Sequence, residues 1–185
     1  MKRQIALLRG INVGGNNIIK MAGLKAAFDR LGFQNVVTYI NSGNILFDSV
    51  LDVTAVKAVC EKMIAEDLGL DIPVCVIAAA DLIESLAHAP DWWNKSPDAK
   101  HNAFFVIPPM TAEGLCAHVG AVKEEYERAD YHGRVIFWSA PVATFSRTRW
   151  SKIISTDKTL SRAITVRNAN TALKLAELAR GDADI

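Results

Sequence analysis

The stretch RGINVGGNN, from Arg9 to Asn17, is where residue types and spacing point most directly to chemistry. Glycine at positions 10, 14 and 15 lets the backbone turn its N–H groups toward one point, and a helix starting soon afterwards would add the positive end of its dipole. Arg9 could contact a phosphate or carboxylate in bidentate fashion, with neutral hydrogen bonds from Asn12, Asn16 or Asn17 and a further charge from Lys20. Together with the amides of Gly14 and Gly15 this makes an anion cradle. It is not a nucleotide loop of known spacing, because it lacks G-K-[ST] and its glycines do not form G-x-G-x-x-G. The same glycines also suit a loop that merely turns from strand to helix.

Two further groups have the same character. NSGN (Asn41, Ser42, Gly43 and Asn44) offers polar side chains at one end of a sheet, although Asn and Gly are also what a tight hairpin requires. In the plan described below, the end of the first strand and this hairpin need not lie together. SRTRWSK and VRNAN contribute Arg147, Arg149, Lys152, Arg167 and Asn168. A helix capped by Ser146 would present Arg149 and Lys152 beside its apolar face, and Arg167 and Asn168 would stand at a second helix start, where anions are favoured. These cations also fit a solvated surface or weak ion pairs, with Asn168 acting only as a cap.

Other chemistry has little support. His88, His101, His118 and His132 lack metal-ligand spacing, no G-x-S-x-G occurs, and the cysteines have no neighbouring cluster that would make one a nucleophile. Trp92 and Trp93 could clamp a ligand or anchor a connection. Phe104/Phe105 and Phe137/Trp138 fall where an RNA-recognition sheet carries stacking rings, but the first half of the chain lacks such pairs, and core packing accounts for them.

The elements that must position these residues follow from periodicity. Residues 5–9 read as a strand, 21–31 as a helix closed by Gly32, 36–40 and 45–47 as a hairpin, 53–68 as an amphipathic helix and 73–78 as a buried strand. That order is β-α-β-β-α-β, the ferredoxin-like plan. After a connecting helix at 81–89 and a loop, the order recurs: strand 103–107, helix 111–122 capped by Thr111, hairpin 126–130 with 135–138, helix 146–155, strand 163–167, and a last helix ending before Gly181. The expected fold is therefore α+β, with two tandem ferredoxin-like units and a C-terminal helix. Residues 1–80 form the first unit, 81–101 the connection and 102–185 the second unit.

Composition narrows the setting. At 185 residues with 50% apolar side chains, the chain can bury one large core or two small ones, which excludes disorder and collagen. Its net charge of +1 hides a strong pattern. Residues 1–45 hold six Lys/Arg and one acid, 46–130 six and fifteen, and 131–176 eight and one. If folding joins the two basic segments, they attract anions although the whole is nearly neutral. The early apolar run stops at Arg9 and the longest, residues 72–80, is far short of the roughly 20 needed to cross a bilayer, so no membrane role is expected. Cys60, Cys75 and Cys116 are odd in number and form no C-x-x-C, which fits reduced cytoplasm rather than a disulfide framework.

The segments ALLRGINVGG, LGFQNVVTYINSGNILF, SRTRWSK and TVRNANTALKLAEL resemble the bacterial family catalogued as domain of unknown function 1697. The likeness covers most of the chain, more loosely from about residue 51 to 130. The family often has an aromatic residue where this chain has Ala169. The resemblance implies a two-part α+β fold and no particular activity or cofactor. The functional expectation therefore comes from the residues: a cytoplasmic protein that binds an anionic, phosphate-containing ligand between its halves, nucleic acid being one form of it. The alternative is an enzyme acting on a small phosphorylated or carboxylated metabolite, its charged loops stabilising the transition state. A third possibility is a structural protein whose acidic and basic faces attract one another.

Overall fold

A computed structural model describes residues 1–181, the side chain of Ile153 excepted. The described residues divide into two compact units, Met1–Leu82 together with residues 175–181, and Ile83–Lys174. This division assigns most of the 81–101 connection to the second unit and the end of the last helix to the first.

In the first unit the elements are β1 (Lys2–Leu8), α1 (Met21–Arg30), β2 (Gln34–Tyr39), β3 (Asn44–Ser49), α2 (Val53–Leu68) and β4 (Val74–Ala78). The strands form an antiparallel sheet in the order β2-β3-β1-β4, the arrangement of a ferredoxin-like unit. Strand alternation sends Ala6, Leu8, Ile45, Phe47, Val74 and Val76 into a core with Leu24 and Phe28 of α1 and Val56, Cys60 and Ile64 of α2. Phe47 anchors that core, stacking on Phe33 at 4.6 Å and meeting Phe28 edge-on at 5.4 Å. Asp52 caps α2 by accepting from the amides of Thr54 and Ala55, and Gly69 closes it in the left-handed conformation.

Strand β2 lies at the sheet's edge and carries a register shift between Gln34 and Val37. There Asn35 takes a positive φ of 49°. Its Nδ2 donates to Asp48 Oδ2 at 2.6 Å, and Arg3 Nη1 donates to its carbonyl at 3.0 Å.

The second unit repeats the order. Helix α3 (Ala79–Ala87) leads into it, and β5 (Ala99–Val106), α4 (Ala112–Val119), β6 (Arg128–His132), β7 (Val135–Pro141), α5 (Arg149–Thr156), α6 (Lys158–Arg162), β8 (Ile164–Asn168) and α7 (Ala169–Arg180) follow. Its antiparallel sheet runs β6-β7-β5-β8, the counterpart of the first sheet strand for strand. Phe104, Phe105, Phe137 and Trp138 are all at most 3% exposed. They are core residues rather than an open stacking platform; Phe104 packs on Trp150 at 5.2 Å.

Three local departures from the sequence reading have physical causes. The helix expected over 146–155 is broken: a 3₁₀ turn spans Phe145–Arg147, Thr148 is extended, and α5 begins at Arg149. Thr148, not Ser146, caps it, accepting from Ser151 N at 3.2 Å. The hairpin strand expected from residue 126 starts at Arg128 because the amides of Tyr126 and Glu127 donate to Lys123 O in a turn. Helix α6 occupies a stretch to which the sequence pattern assigns no element; Asp157 starts it by accepting from Thr159 N and Leu160 N.

Among the described residues no helix is long and apolar enough to cross a membrane, and no group of three His, Cys, Asp or Glu is placed to hold a metal. All three cysteines are free thiols. Burial, and then the Glu61 carboxylate, push Cys60 up to about 12; burial, and then Asp130, push Cys116 up to about 11. At pH 8 both are therefore almost wholly protonated. A maleimide should modify them at least about 100-fold more slowly in the native protein than in the denatured one, Cys60 more slowly than Cys116, since the thiolate is the reacting form. Comparable rates by mass spectrometry would contradict this.

Candidate functional site

The two polar motifs of the first unit meet. Antiparallel pairing sets Leu7 opposite Asn44, which brings the end of β1 beside the turn joining β2 and β3. Leu8 N donates to Gly43 O at 2.9 Å. The expectation that these segments need not lie together is thus corrected by topology: in this strand order β1 is the neighbour of β3.

Asn12 clips the 10–17 loop in place. With a φ of 54°, it donates from Nδ2 to Ile19 O at 3.0 Å and to Asn41 O at 2.8 Å, while its Oδ1 accepts from Ile19 N at 2.8 Å. Asn17 Nδ2 donates to Gly10 O, and Asn16 N to Val13 O. Gly14 and Gly15 form the exposed tip with φ of 59° and 78°, values that side-chain-bearing residues rarely adopt. Ser42 and Asn44 serve the hairpin itself, as the fully buried Asn44 donates from Nδ2 to Ser42 Oγ at 2.9 Å and to Tyr39 O at 3.0 Å. Arg9 is half-buried just past β1, its amide donating to Pro73 O.

Beside the clip lies an open recess of about 630 Å³, lined by Asn12, Gly15, Ile18, Ile19, Lys20, Met21, Ala22 and Asn41. Lys20 is its one ionic group, and no acid occurs in the chain before Asp29. Lys20 also occupies the N-cap of α1, where its side chain makes no capping bond, and the helix has no acid in its first turn. Asn12, Gly15, Lys20 and Asn41 are therefore the sequence candidates that the fold gathers at one place.

The second unit treats its helix starts differently. The Glu127 carboxylate, 2% exposed, accepts from Arg149 N at 2.6 Å, Trp150 N at 3.2 Å and Trp138 Nε1 at 2.9 Å. An internal acid thus occupies the start of α5. Arg149 Nη1 donates to Val119 O at 3.2 Å, while Arg147 and Lys152 are exposed, Arg147 lying 5.9 Å from the Tyr126 ring. Arg167, 6% exposed, donates to Thr165 Oγ1 and Val166 O, and Asn168 Oδ1 caps α7 by accepting from Thr171 N at 2.8 Å.

Two groups escaped the sequence reading. Glu127 sits in the run KEEYE, which looks like a solvated acidic turn. His101 and Ser139 face one another across β5 and β7, with His101 Nδ1 2.5 Å from Ser139 Oγ. Only the strand register could have paired them.

The family described as protein of unknown function (DUF1697) matches residues 1–137. Among solved structures, the conserved bacterial protein SP0830 from Streptococcus pneumoniae is similar, with a TM-score of 0.84 and 28% identity over 96% of this chain and 98% of that one. No curated protein matches the chain.

Proposed function

The chain belongs to the DUF1697 family, and we propose that it binds an anionic, phosphate-containing ligand at the recess between the 10–17 loop and the start of α1. The observation that carries this reading is the open helix start. Side chains of Asp52, Thr111, Asp157 and Asn168 cap α2, α4, α6 and α7, and Glu127 meets the first amides of α5. Helix α1 instead opens at Lys20 with neither a side-chain cap nor a neighbouring acid. Unsatisfied N–H groups and the helix dipole favour an anion there, and the Lys20 ammonium adds a full charge. The exposed Gly14–Gly15 tip lets backbone approach a ligand without side-chain obstruction. A bacterial cytoplasm, where three free thiols persist, is the setting this reading assumes.

The test is a thermal-shift titration with inorganic phosphate, pyrophosphate and a mixed-sequence oligonucleotide at low salt. A ligand at 100 times its Kd stabilises by about 2.7 kcal/mol. Lys20→Gln should weaken that ligand about 10-fold, equivalent to about 1.4 kcal/mol. A response to the oligonucleotide that falls steeply with added salt identifies nucleic acid, because each phosphate contact releases counterions. A response confined to the small anions identifies a metabolite instead. No response to any of the three, or one unchanged in Lys20→Gln, overturns the proposal.

A further inference from the structure

In the second unit, a cavity of about 460 Å³ is lined by residues that include Trp92, Lys95, Ser96, His101, Arg128 and Ser139. Within it, His101 is held at both ring nitrogens. Nε2 lies 2.9 Å from the carbonyl oxygen of Ser96 and 3.3 Å from its amide nitrogen, and Nδ1 lies 2.5 Å from Ser139 Oγ. The carbonyl contact is the shorter of the two, and a carbonyl can only accept, so in the tautomer that uses it Nε2 carries the ring proton and Nδ1 presents its lone pair. The Ser139 hydroxyl must then donate to Nδ1. This is the relation of a nucleophile to its base, with a backbone carbonyl in the role of the group that fixes the tautomer.

The strands make the pair rigid. His101 and Ser139 occupy directly opposed positions on the two central strands of the sheet, β5 and β7, and Arg128 is opposed to Ser139 on the other side, on β6. Three neighbours add to the site. Trp92, half-buried, gives an apolar wall, while Lys95 and Arg128 bring positive charge to a lining that also holds Glu124, Glu125 and Glu127.

We propose that Ser139 is an acyl-accepting nucleophile, with His101 as its general base, for esters small enough to enter this cavity. Ser139 Oγ loses its proton to His101 Nδ1 as its electron pair forms a bond to the acyl carbon. The ester C–O bond breaks, and the leaving alcohol takes the proton from Nδ1. Water then passes a proton to Nδ1 and its hydroxide adds to the acyl carbon; Oγ departs and recovers the proton. The sum is ester plus water giving carboxylic acid plus alcohol. This chemistry is separate from the anion recess of the first unit.

The experiment treats the full chain with a fluorophosphonate probe and locates adducts by peptide mass spectrometry. Oγ–P bond formation with loss of fluoride should mark Ser139 in the wild type, and Ser139→Ala should lack that adduct. His101→Gln should label at least about 100-fold more slowly, the usual worth of a positioned base. Circular dichroism of each variant establishes that it is folded, and labelling of the wild type is informative whether or not the variants fold. Absence of a Ser139 adduct in the wild type overturns the proposal. So does an equal rate in folded His101→Gln, which would leave the Ser139–His101 bond a cross-strand tie alone.

Discussion

Replacing Glu127 by Ala should lower the stability of the second unit by about 3–5 kcal/mol, the range for removing one partner from a buried, charge-assisted network. The carboxylate accepts from the indole N–H of Trp138 and from the amides of Arg149 and Trp150. These donors, and the amide of Lys123 at 3.4 Å, would lose their acceptor, the Trp138 indole and the Trp150 amide in buried surroundings. Glu127→Gln retains the volume but has one acceptor oxygen where there were two, and places an NH₂ among donors. We expect it to cost about 1–3 kcal/mol. The four tryptophans, Trp92, Trp93, Trp138 and Trp150, all lie in the second unit, so indole fluorescence during urea denaturation reports that unit selectively. A midpoint equivalent to less than 1 kcal/mol of change in Glu127→Ala would show that the network is replaceable.

Gly43→Ala should be the most damaging single methyl in the first unit, by about 2–5 kcal/mol. Gly43 has a φ of 74°, which costs an alanine roughly 1–2 kcal/mol. An added Cβ would also stand 2.8 Å from both Leu8 Cβ and Ile11 Cδ1, and forcing a methyl into packed surroundings costs about 1–3 kcal/mol more. Leu8 and Ile11 are 0% and 1% exposed, so neither can swing aside into solvent. The damage should spread to function. Ile11 precedes the Asn12 clip, and moving it shifts the loop that borders the recess. Amide hydrogen exchange should quicken along β1 and β3, and the phosphate response of the wild type should diminish. Exchange at wild-type rates would refute the steric argument.

Local patterns in the sequence carried the fold far. The 53–68 helix was legible from its apolar spacing, and the structure closes it with the Asp52 cap and Gly69. Gly32 likewise marked the end of α1, and core packing accounts for Phe104, Phe105, Phe137 and Trp138, all of which the fold buries. What local patterns could not convey was register. The meeting of Asn12 with Asn41 depends on β1 pairing with β3, and that of His101 with Ser139 on β5 pairing with β7, contacts 29 and 38 residues apart. Glu127 shows the same limit in another form. A glutamate among glutamates reads as solvated, and only the fold turns this one inward beneath the start of α5, which is also why the helix begins at Arg149 rather than at Ser146.

The edge strand β2 has a consequence for behaviour at high concentration. A straight, unpaired strand offers its free N–H and C=O groups to any neighbouring molecule, and repeated pairing of that kind builds fibres. Here the register shift around Asn35, clasped by Arg3 and Asp48, interrupts the regular spacing of those groups along the outer rim of the sheet. Such an irregularity disfavours strand-to-strand pairing between copies of the first unit along that rim.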